Sequence, residues 1–103
     1  MTDDQMTALL TMLKYNLGII TDYMDQEAKE QKEAQLQNYI NASVEFIERQ
    51  GVTLDYGAIG DLMLITMYAQ YLYDKRMDGV SVMPRALQYE LNNRVFQGKV
   101  NDA

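Results

Sequence analysis

The sequence predicts an all-α protein: a small bundle of about four helices, with a long second helix and a buried third helix. Apolar residues recur at three- and four-residue spacing, capping residues precede those stretches, and glycines or a proline interrupt them. With 103 residues, 48% of them apolar, the chain is the size of one domain and apolar enough to fold. The expected organisation is a single helical domain over residues 1–98 and a flexible tail over 99–103.

Thr2-Asp3-Asp4-Gln5 has the form of a capping box, after which Met6, Leu9, Leu10, Leu13 and Leu17 follow helical spacing. Gly18 sits where a left-handed cap would end this first helix, and Ile19-Ile20 forms a connector. Thr21 can cap the second helix, with Asp22 and Asp25 placing negative charge at its dipole-positive end. A stop at Gly51 would make it about 42 Å long at 1.5 Å per residue.

The two halves of that helix differ. Leu36, Ile40, Ser43, Val44 and Ile47 form a core stripe with Tyr39 beside it, whereas Asp25 to Gln35 is almost wholly polar. An Asp25–Lys29 pair four residues apart can support the polar half, which reads as a solvated extension or as a contact with another subunit.

The third helix is expected to start between Asp55 and Ile59, capped by Thr53 or Asp55, because Gly57 and Gly60 make an earlier start costly. Leu62 to Tyr73 is apolar or aromatic on nearly every face, so neighbours should surround it. Asp78-Gly79 ends it. Pro84 suits the first position of the fourth helix, where its missing N–H costs nothing. Leu87, Leu91 and Val95 then recur every four residues up to a stop at Gly98.

The chain has no histidine and no cysteine, which removes disulfides, thiolate chemistry and the usual soft metal ligands. Its only serines, Ser43 and Ser81, lack a histidine base. Carboxylates at Asp22, Asp25 and Glu27, or at Glu45 and Glu48, could pair for acid–base work or hold a cation, but helical spacing produces such pairs routinely. A carboxylate-bridged metal bundle would add histidines at Glu-x-x-His spacing, and the Asp55–Asp61 region lacks the alternating acids of a calcium loop. Gly57 and Gly60 are not followed by the Gly-Lys-Ser/Thr of a phosphate loop. The reading is a non-enzyme with no cofactor and no metal.

The acidic Met1-Thr2-Asp3-Asp4 start does not resemble a signal peptide, and no apolar run approaches the ~20 residues that cross a bilayer. A net charge of −6 argues against nucleic-acid binding, which draws its affinity from Lys and Arg on phosphates. The charge is divided unevenly: residues 1–73 hold four bases against eleven acids, while residues 74–103 hold five bases against four acids.

Eight methionines and eight tyrosines suit either adaptable contact surfaces or gap filling between helices. Met12, Met63 and Met67 read as gap fillers, whereas Met77, Met83 and Tyr89, near the last loop and helix, fit core and interface equally.

Leu72-Tyr73-Asp74-Lys75-Arg76, followed by Pro84 and a short helix, resembles the small head-tail connector, or head-completion adaptor, proteins of long-tailed bacteriophages. The order of features agrees. A leucine-rich first helix precedes a long helix with Ile40-x-Ala42, then an apolar helix ending in Tyr73-x-x-Arg76 and a Pro-initiated helix carrying Asn92-Asn93-Arg94. The stretch Asp25–Gln35 departs from that family in being longer and more charged.

The resemblance implies a ring of identical subunits at the head-tail junction of a virion, made in the host bacterial cytoplasm. Such a ring would bind the portal protein and a tail or stopper protein around the DNA exit channel. It would make no sequence-specific nucleic-acid contact and no membrane contact, and an acidic channel surface would keep DNA from adhering.

The expected protein interface comprises Tyr73, Arg76, Met77, Met83, Tyr89, Arg94, Phe96, Lys99 and Val100. From Val95 onward the chain resembles the part the family uses to reach the portal. Tyr73 and Arg76 can equally end the buried helix and complement its dipole, or Arg76 can pair with an acid across a subunit boundary. The alternative function is a small acidic regulatory protein that binds one host or phage protein.

Overall fold

The computed structural model describes residues 1–79 and 82–102, apart from the side chains of 99–102. Its helices are α1 (Asp3–Leu17), α2 (Gln26–Arg49), α3 (Ile59–Asp78) and α4 (Arg85–Asp102), and the described residues contain no strand. The expected all-α class and the helix count are both found. α3 packs against each of the other three helices, and α1 also packs on α2. The molecule measures 52 × 31 × 18 Å, a slab about two helix diameters thick.

Local chemistry sets the helix ends. At the start of α1 the Gln5 N–H donates to Thr2 Oγ1 (3.1 Å) while the Thr2 N–H donates to Gln5 Oε1 (2.8 Å), a complete capping box. Gly18 ends α1 with φ 70°, and Gly79 ends α3 with φ 71°. A left-handed φ there favours glycine over any residue with a Cβ.

Two helix boundaries and one cap differ from the sequence reading, while α3 starts at Ile59, inside the expected window. α2 is capped by Asp25, whose Oδ1 accepts from the Ala28 N–H (2.8 Å), and not by Thr21. Thr21 is buried in the connection instead, its carbonyl accepting from the Met24 N–H. α2 therefore has 24 residues, about 36 Å of helix. Because the Asp25 carboxylate is used as a cap, it forms no ion pair with Lys29 among the described residues.

α3 is preceded by Ala58, which offers no side-chain cap. Asp55 instead closes the turn before it, accepting from the Gly57 N–H (2.9 Å). α4 continues through Gly98 to Asp102, so Gly98 is not a stop, and the backbone of 99–102 is helical where a flexible tail was expected. Residue 103 lies outside the described residues, as does Ser81. Pro84 occupies the position just before α4, its carbonyl accepting from the Gln88 N–H.

The core follows the predicted periodicities. Leu9, Leu10 and Leu13 of α1, Leu36, Ile40 and Ile47 of α2, and Leu87 and Leu91 of α4 close on Leu64, Ile65, Tyr68, Ala69 and Tyr71 of α3. Two hydroxyls inside this core are satisfied within their own helices: Ser43 Oγ donates to the Tyr39 carbonyl (2.7 Å) and Thr66 Oγ1 to the Leu62 carbonyl (2.8 Å).

The polar half of α2 is not a free extension. Lys14 of α1 pairs with Glu33 at 3.4 Å, and Lys32 lies 5.7 Å over the Tyr73 ring of α3.

Ile65 is fully buried in the central helix. Ile65→Ala is expected to lower the free energy of unfolding by about 2–5 kcal/mol, through lost burial and the cavity left behind, as measured by urea denaturation. Gly98 is a helix-interior glycine whose added Cβ would meet Gly51 O at 3.4 Å, an ordinary contact. Gly98→Ala should raise the thermal midpoint, reflecting about 0.5–1 kcal/mol. A drop in midpoint would show that α4 does not continue through this position.

Candidate protein-interaction surfaces

α4 shows how its residues divide between holding the fold and facing outward. Leu87 and Leu91 turn inward with Val95 packed beside them, while Arg94 is drawn across the start of α3. There its Nη1 donates to Asp61 Oδ1, and its Nε donates to Glu90 Oε1 at 3.1 Å. The other Asp61 oxygen accepts from the Asp55 N–H (2.7 Å), so one buried carboxylate joins α4, α3 and the loop before α3.

Gly60 leaves room for this crossing, since a Cβ there would sit 3.2 Å from Arg94 Nη2. The hydrogen bond to Asp61 raises the Arg94 pKa, and Glu90 adds to it, while burial opposes the shift. Arg94 is thus an internal tie whose charge is paired within the chain.

Tyr73 is likewise engaged internally. It meets Tyr39 edge-on at 5.9 Å and carries Lys32 over its face, which favours the structural reading of this position. The buried Tyr39 hydroxyl has no hydrogen-bond partner among the described residues. Met83 packs against the core.

Arg76 and Met77 are exposed at the end of α3, and Arg76 forms no ion pair among the described residues. Tyr89 and Phe96 are 69% and 67% exposed. Seven residues apart, they lie on one face of α4, with Arg85 a turn before Tyr89 and Asn92 and Asn93 between them. The side chains of Lys99 and Val100 lie outside the described residues.

The carboxylates considered for chemistry are dispersed. Glu45 pairs with Arg49 one turn on, and Glu48 accepts from the Tyr56 hydroxyl at 3.3 Å. Burial raises the Tyr56 pKa and the neighbouring Glu48 adds to it. Among the described residues no three acids converge on a point where a cation could bind.

A second apolar surface was not anticipated. Between α1 and α3 runs an open groove of about 490 Å³, lined by Met12, Tyr15, Asn16, Ile59, Met63 and Met67 together with Thr11 and Thr66. Met63 is 52% exposed, Ile59 66% and Tyr15 86%. The gap-filling role expected of the three methionines is therefore corrected for Met63, and Met12 and Met67 line the same open groove. The signal was present in the sequence as Met12, Tyr15 and Asn16 on one helical face and Ile59, Met63 and Met67 on another. Sequence cannot tell an apolar stripe facing a neighbouring helix from one left beside it.

No family model, curated protein or solved structure matches this chain. No described helix is long and apolar enough to cross a membrane.

Breaking the buried pair from one side should be costly. Asp61→Ala strands Arg94 and the Asp55 N–H, and chemical denaturation should show a loss of about 3–5 kcal/mol. The double change Asp61→Ala with Arg94→Met should recover part of that loss, because no uncompensated buried charge remains and Glu90, which loses its partner, is 41% exposed.

Proposed function

We propose that this protein is a structural assembly module, and specifically a phage head-tail connector that forms a ring between the portal and the tail or stopper around the DNA exit channel. The observation that carries the reading is the outward face of α4. Tyr89 and Phe96 are held about two-thirds exposed on a helix whose inner face is tied down by Leu87, Leu91 and Arg94. Aromatic side chains rigidly presented to solvent are typical anchors of protein interfaces.

The Tyr73–Pro84 resemblance supplies the specific identity. Localisation at the head-tail junction and binding to portal and tail or stopper belong to the same proposal. So does the absence of a catalytic role, since the side chains best placed for chemistry are occupied as caps and internal pairs.

The acidic regulatory alternative draws less support. A mimic of nucleic-acid charge relies on free carboxylates, and four of the fifteen acids, Glu33, Glu45, Asp61 and Glu90, are paired with a base of the chain. Electron microscopy of phage particles assembled without the protein tests the reading. Filled heads and free tails that fail to join are expected, and normally joined virions would overturn it.

A further inference from the structure

The two exposed apolar surfaces differ in shape and in charge. The α1/α3 groove is concave and rich in methionine, whose flexible side chains adapt to an inserted neighbour. The outer face of α4 is convex, with Tyr89 and Phe96 about 10 Å apart along the axis, two turns of helix.

The charges around these surfaces are opposite. On the groove side, Asp4 lies on the same face of α1 as Thr11, and exposed Asp55 lies just before Ile59. The only base of α1, Lys14, is taken up by Glu33 of α2. On the other side, Arg85 is exposed one turn from Tyr89 and forms no ion pair among the described residues, while Lys75 and Arg76 at the end of α3 are balanced by Asp74 and Asp78. The occupant that fits the groove is a helix face with aromatic anchors and a flanking base, which is what this chain itself presents.

We propose that the α1/α3 groove receives the outer face of α4 from a second copy of this chain, Tyr89 and Phe96 entering beside Met63 and Arg85 facing the acids at the groove's ends. This deepens the connector reading and rests on it. It goes beyond it by naming the two surfaces that meet. Because the surfaces are different, a subunit can engage one neighbour through its groove and another through its α4 face, and repetition then closes into a ring or continues as a filament. Two copies exchanging the contact reciprocally would stop at a symmetric pair, and the crosslinked ladder expected of a doubly substituted variant separates the two.

A handful of large side chains on each side places the contact near or below the ~1,200 Å² lower bound of stable interfaces. Association of the isolated protein is accordingly weak, and assembly depends on high local concentration.

The absence of cysteine makes site-directed crosslinking a clean test. Asn16→Cys places a thiol at the groove and Asn93→Cys places one between Tyr89 and Phe96, both at exposed positions that spare the apolar anchors. With a short bis-maleimide at high protein concentration, a mixture of the two single variants should yield the crossed dimer well above either like-with-like dimer. The double variant should yield a ladder of higher oligomers.

Met63→Asp or Phe96→Asp in those backgrounds should reduce the crossed product at least about tenfold, with the helical circular dichroism unchanged. Like-with-like products alone would mean that the groove or the α4 face pairs with itself, and would overturn the proposal. So would the absence of any product, or a crossed product indifferent to both charges. Loss of the ladder together with unjoined heads and tails in particles lacking the protein would reject this contact and leave the connector reading in place. Normally joined virions would reject the reading itself.

Discussion

The architecture depends on the burial of α3. Leu64, Ile65, Tyr68, Ala69 and Tyr71 leave no wide polar stripe along its middle, so a single neighbour cannot remove its apolar surface from water. Each fully buried Leu or Ile contributes on the order of 1.5–3 kcal/mol. That gain is realised only when α1, α2 and α4 all close on it, and the other three helices contribute narrower stripes accordingly.

α4 is the helix with the least apolar attachment, and a polar tie compensates. Leu87 and Leu91, with Val95 beside them, form a short seam among the described residues, which Asp61 extends by receiving Arg94 while also accepting the Asp55 N–H. A buried carboxylate satisfied from two directions fixes the register of α4 against the start of α3. Gly60 is part of the same arrangement, because its missing side chain is the space the guanidinium crosses. The register in turn determines which residues α4 turns outward, so an internal ion pair sets the position of the exposed aromatic face.

The bundle also leaves one edge of α3 incompletely covered. α1 buries Leu9, Leu10 and Leu13 in the core, while Met12 and Tyr15 beside them line an open groove with Ile59, Met63 and Met67 of α3. The acid-rich first two thirds of the chain and the more basic last third thus correspond to two apolar surfaces of opposite character, one concave and one convex.

Much of this was legible in the residue order, because helix signals are local. The Thr2/Gln5 capping box, the left-handed stops at Gly18 and Gly79, and the core stripes of Leu36–Ile47 and Leu87–Leu91 depend on neighbours within a turn or two, and all are found. Where two local options competed, as with Thr21 against Asp25 for the cap of α2, the decision came from what else each residue was needed for, since Thr21 is buried by its surroundings. The continuation of α4 past Gly98 also exceeded local preference, an interior glycine costing only about 1 kcal/mol, which a packed helix can absorb. By itself, the sequence determined a four-helix chain without histidine or cysteine and with its charge divided unevenly along its length. Only the tertiary structure decided that Arg94 faces Asp61 across 33 residues, that Tyr73 meets Tyr39 edge-on, and that Met63 lines a groove. The reason is physical: those facts depend on which helices approach one another and at what register, and no residue's immediate neighbours carry that information.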